Sequence, residues 1–251
     1  MGFFDRLFNR KPQPPLPSGQ RKPQLGSKAG GGSPPGIQFD VADQEPDSPQ
    51  GFGYKIAWLA VRSDSPATVA SEVGLQGLAP CNWRAGLKHA YDSKGRAVFI
   101  TPPLDGWVLA TGWAMDPGEE YAETVPPILQ KMSDQFQDAQ FFLTHRVVEL
   151  HVWAKAENGA LVRGFGVVEG IQRIWDVGPL TTEEENWNAN FADPDSAEAK
   201  NDPNYWDRAD LEYPGEEHVI KLAAAWSIDP TTIDDRFTSP TLGLIGTRPP
   251  A

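Results

Sequence analysis

The chain has 251 residues, a formal net charge of −12 and one cysteine. A single thiol excludes an internal disulfide framework and any multi-cysteine zinc site. No apolar run reaches the ~20 residues that span a bilayer as a helix, and no apolar core of a signal peptide follows the first charges, so a cytoplasmic protein is expected.

The start, MGFFDRLFNRK, is a short amphipathic cluster. On a helix Phe4, Leu7 and Phe8 share a face with Phe3 beside it, a face that can graze an anionic membrane; a frayed turn or docking peptide is the commoner fate of so short an end. From Lys11 to Gln50 the chain is mostly Pro, Gly, Gln, Ser and charge. That composition buries too little apolar surface to offset its ordering entropy, so residues 1–50 read as a disordered tail and 51–247 as one domain.

The domain opens with GYKIAWLAVRS, Gly53 to Ser63, whose β-branched and aromatic run predicts a buried strand. Ser65 as cap, Pro66 at the first helical position and Gly74 as stop predict a short helix. A second follows Asn82, with Trp83, Leu87 and Tyr91 at i, i+4 and i+8. Arg96 to Trp113 reads as a hairpin around Pro-Pro-Leu-Asp-Gly. The clearest helix runs from a Thr124 cap to Phe136, with Val125, Ile128, Leu129, Met132 and Phe136 as its apolar stripe. Three or four strands follow up to Gly178, and Asn158-Gly159 is the strongest hairpin signal. Hairpins outnumber strand-helix alternations, which predicts an α+β domain: a largely antiparallel sheet covered on one side by a few helices.

Residues 179–216 read as a long acidic excursion. Between 183 and 217 twelve acids face only Lys200 and Arg208, with Trp187, Phe191, Tyr205, Trp206 and Tyr213 interspersed. Such rings pin a loop to a core or, beside acids, form a protein-binding surface. A final helix with acids in its first turn should bury Val219, Leu222, Ala223 and Trp226.

Chemistry is sparse. There is no G-x-S-x-G elbow, P-loop, H-E-x-x-H or EF-hand pattern, and Gly164 to Gly170, inside a strand, lacks the context of a dinucleotide-binding turn. His145, Glu149 and His151 would share a face if Thr144 to Ala156 were one strand. Six residues of strand span about 20 Å, however, so a shared metal would need a bend near Val147, and no metal or cofactor is expected. Cys81 would serve as a nucleophile only with a histidine beside it. Acidic charge opposes phosphate backbones, which argues against direct nucleic-acid binding.

The sequence therefore points to a non-enzymatic module for a basic protein partner, most concretely a bacterial immunity-type inhibitor of a toxin. Its binding residues would be Glu183, Glu184, Glu185, Trp187, Asp193, Asp195 and Trp206. The rival is a hydrolase whose site is assembled from Cys81, His89, His145, Glu149 and His151.

Overall fold

The computed structural model describes residues 41–92, 94–118, 120–187 and 190–249. The amphipathic start and the tail up to residue 40 lie outside the described residues. Residues 43–50, which composition groups with the tail, are held on the domain. Asn82 N donates to Asp43 O at 2.8 Å, and the Asp47 carboxylate accepts from Trp83 N at 2.7 Å and Arg84 N at 3.0 Å. Asp47 also forms a β-bridge with Thr241. The apolar count misses this segment because it is fixed by hydrogen bonds to a helix N-terminus and not by burial.

The fold is α+β, built on an antiparallel sheet as expected. Its nine strands are β1 (Ile56–Arg62), β2 (Gln76–Cys81), β3 (Ala97–Ile100), β4 (Trp107–Thr111), β5 (Asp138–His145), β6 (Leu150–Glu157), β7 (Ala160–Val168), β8 (Gln172–Val177) and β9 (Gly243–Thr247). They lie in the order β2-β9-β3-β4-β1-β5-β6-β7-β8. Asp105-Gly106 and Asn158-Gly159 turn two of the hairpins with positive φ at both residues, the geometry that a two-residue loop needs to match strand twist.

Two helices, α1 (Pro66–Val73) and α3 (Tyr121–Phe136), cover one face of the sheet, over Ala57, Leu59, Val61, Phe141 and Leu143. The opposite face is covered as well, by α2 (Trp83–Ala90) and α6 (Glu216–Trp226), over Ile56, Trp58, Phe142, Trp153 and Phe165. Cover on one side alone would leave half of β1 wet. Its first six residues, IAWLAV, are all buried, and a strand without polar alternation requires cover on both faces.

Helix α1 has the expected Ser65 cap and Gly74 stop, and α2 has its Asn82 cap. By contrast, α3 begins three residues before Thr124, so Pro126 and Pro127 sit inside the helix. Tyr121 draws the start forward: it is buried, and its hydroxyl donates to Asp116 Oδ1 at 2.9 Å. Three short helices complete the chain: α4 (Thr182–Asn186) and α5 (Ala197–Asn201) in the excursion, and α7 (Ile233–Arg236) after α6. No helix among the described residues is long and apolar enough to cross a membrane.

Candidate functional site

The histidine stretch is not one strand. β5 ends at His145, residues 146–149 turn the chain, and β6 returns with Thr144 opposite His151 and His145 opposite Leu150. Cross-strand partners share a face and neighbours along a strand do not, so His145 and His151 project to opposite faces of the sheet. His145 packs edge-on against Trp113, ring centroids 5.1 Å apart, and burial lowers its pKa against the pull of Asp116. His151 is fully buried; its Nε2 lies 3.3 Å from Glu149 Oε2, and its Nδ1 has no hydrogen-bond partner. Burial lowers its pKa too, against Glu149 and Glu216. No three His, Cys, Asp or Glu side chains among the described residues come together as a metal site.

Cys81 lies on the edge strand β2, five strand positions from β5, on the order of 24 Å at the usual spacing. Its thiol is buried and donates to Asn82 O at 3.3 Å. Burial, reinforced by the charges of Asp43 and Asp47, pushes its pKa up to about 12, so a thiolate nucleophile is absent at neutral pH. His89 is half-exposed on α2. Of the five hydrolase candidates, Glu149 and His151 are in contact with each other. A groove of about 410 Å³ beside β1 and the end of α3 is lined by Arg62, Ser63, Asp64, Ser65, Thr68, Gln135, Phe136 and Gln137, none of them a candidate.

The acidic excursion is organised by a residue that its charge had marked as surface. Glu184 is fully buried. Arg163 Nε donates to Glu184 Oε1 and Oε2 at 3.0 and 3.1 Å, Trp153 Nε1 donates to Oε1 at 3.0 Å, and Thr181 N donates to Oε2 at 2.9 Å. Thr181 also caps Glu184 N, so the two residues form a capping box at the start of α4. Arg163, on β7, also donates through Nη1 to Asp176 Oδ1 and to the carbonyl oxygens of Gly164, Val177 and Gly178. Glu184 is therefore an anchor and not part of a contact face. The pattern Thr181-x-x-Glu184 is the sequence signal that identifies it, and Arg163, a lone charge in an apolar strand, is its overlooked partner.

The other expected binding residues divide between anchoring and display. Glu183 accepts from Trp226 Nε1 at 3.1 Å; partial burial opposes its ionisation, but hydrogen bonds from its own backbone, Trp226 and Thr181 hold its pKa below the ordinary value. Trp187 is half-buried, packed on the same core layer and edge-on to His218. Asp193 pairs with Arg173 at 3.4 Å and Asp195 with Lys200 at 3.2 Å. Glu185 is exposed, and Trp206 is 43 % exposed, edge-on to Tyr205. Tyr213 is 51 % exposed. Phe191, one of the aromatic rings interspersed in the excursion, inserts among Trp153 and Phe165 and pins the segment to the core.

Compared with known protein families, with characterised proteins and with solved structures, the chain matches none.

Proposed function

We propose that this chain is a non-enzymatic protein-binding module acting in the cytoplasm of a bacterium, an immunity-type inhibitor that occludes a basic partner such as a toxin. One observation carries the reading. The excursion is anchored to the core by Glu184, while Glu185, Asp202 and Asp207 on it, and Glu217 just beyond it in the first turn of α6, are exposed and without a salt-bridge partner among the described residues. Trp206 and Tyr213 stand exposed on the same segment. Fixed acids with aromatic rings between them suit a basic protein surface: the field steers the encounter, and the rings supply contact area at low entropic cost. The single buried cysteine suits a reducing compartment.

The test is capture of the partner from native cells, followed by association kinetics with a variant carrying Glu185→Gln, Asp202→Asn, Asp207→Asn and Glu217→Gln. Charge steering acts on the on-rate and weakens with salt, so association should slow by roughly tenfold or more at low ionic strength, with dissociation little changed. An unchanged on-rate and salt dependence would remove the acidic surface from the recognition.

A further inference from the structure

The excursion is fastened at two places, and the second contains histidines where the first does not. His151 has Thr144 and Val167 as its uncharged cross-strand neighbours. Thr144 Oγ1 lies 3.4 Å from Glu216 Oε2, which sets the first turn of α6 against this part of the sheet. His218, in the same turn, accepts from Gly215 N through Nδ1 at 3.2 Å, and its Nε2 lies 3.1 Å from Glu212 Oε2. Its ring stands edge-on to Trp187 and Phe191, with centroids 5.6 and 5.2 Å away. Phe191 and Glu212 are themselves joined as a β-bridge. One imidazole thus ties α6 to both limbs of the excursion, beside a second imidazole that is wholly buried.

We propose that His151 is the proton-operated catch of a latch whose tie is His218: in mildly acidic conditions protonation of His151 releases the first turn of α6 and the Phe191–Glu212 bridge from the sheet. The release of a bound partner that follows rests on the reading of the excursion as a docking surface; the loosening itself does not.

The charged groups around His151 set the direction. Glu149 faces it from its own hairpin, and Glu216 and His218 from α6. Arg146 holds Glu216 at 3.4 Å, and Arg173, beyond Val167 in the same cross-sheet row, is occupied by Asp176 and Asp193. Lys55 donates its backbone N–H to Thr144 Oγ1, and the Tyr91 hydroxyl accepts from Gly53 N nearby. Burial outweighs the attraction of the two carboxylates, so His151 resists protonation while docked. Opening hydrates the buried His151 ring. As pH falls through about 6.5, the opened state binds more protons than the docked one, and acid therefore favours opening.

The experiment is amide hydrogen exchange on the full chain at pH 7.5 and pH 5.0, corrected for the intrinsic pH dependence of exchange. Protection at residues 215–219 and 190–192 should fall on the order of tenfold at the lower pH, while β1 and β5 keep theirs. His151→Leu should abolish most of that fall, and His151→Gln serves the same purpose should the leucine variant not fold. The proposal is overturned by equal loss in wild type and variant, by loss spread uniformly over the sheet, or by no loss at all. Since no partner is present, each of these results leaves the docking-surface reading standing on its own kinetics.

Discussion

Arg163 Nε meets both carboxylate oxygens of Glu184, at 3.0 and 3.1 Å, with the arginine side chain 1 % exposed and the glutamate 0 %. The pair joins β7 to α4, and through α4 it sets the course of the excursion. Breaking a buried pair on one side strands the other charge in low dielectric. Arg163→Met should therefore cost about 3–5 kcal/mol. The double variant Arg163→Met/Glu184→Leu should recover much of the loss, because it buries no lone charge. Urea unfolding of the two single variants and the double variant gives the coupling directly.

The two tryptophans of the excursion should behave oppositely. Trp187 is packed on the core layer that holds Trp153 and Phe165, whereas Trp206 is 43 % exposed. Trp187→Ala should lower stability by about 2 kcal/mol or more, in the range of partly buried large-to-small changes. Trp206→Ala should stay within about 0.5 kcal/mol, as surface changes do. If Trp206 anchors a partner, its loss will appear as faster dissociation and not as a lower melting temperature.

Asp116 offers a pH test. Burial raises its pKa above the carboxylate norm even though Gly118 N and the Tyr121 hydroxyl both donate to Oδ1. A raised folded-state value means that the group favours the fold below its unfolded value of about 3.9, and that this contribution disappears as pH rises through the folded value. Asp116→Asn keeps an acceptor at Oδ1 and removes the charge. It should therefore be more stable than wild type at pH 7, with the advantage shrinking towards pH 3; a gain independent of pH would contradict the assignment.

Cys81 should be inert while the chain is folded. With its thiol buried and its pKa at about 12, iodoacetamide at pH 8 should label it only after denaturation. Native-state labelling at the rate of a free thiol would mean that β2 opens readily, and would return Cys81 to the list of candidate nucleophiles.

Local signals carried a large part of the architecture. Asp105-Gly106 and Asn158-Gly159 each demand positive φ at two successive residues, and both turn hairpins. Ser65, Pro66 and Gly74 bound a helix by capping chemistry that acts within a single turn. What escaped notice depends on contacts far apart in sequence. β2 and β9, short and rich in Gly and Pro, pair with each other across more than 160 residues, and β9 also pairs with β3. Neither has a periodicity of its own; the neighbouring strand supplies its hydrogen bonds.

The candidate site divides in the same way. Composition identified an acidic, aromatic excursion, because charge and ring content are properties of the chain alone. Which acids face solvent was decided by tertiary structure: Glu184 sits between Glu183 and Glu185, yet it is drawn inward by Arg163 and Trp153, while Glu185 stays outside. The two histidines of the hairpin show the same limit. Their spacing of six residues was legible, but the faces they occupy depend on where the turn falls, and a shift of a single residue reverses the face of every side chain on a strand. Sequence thus determined the inventory of charges, caps and turns; burial and pairing, which depend on the whole packed sheet, decided which of those groups reach solvent and which hold the fold together.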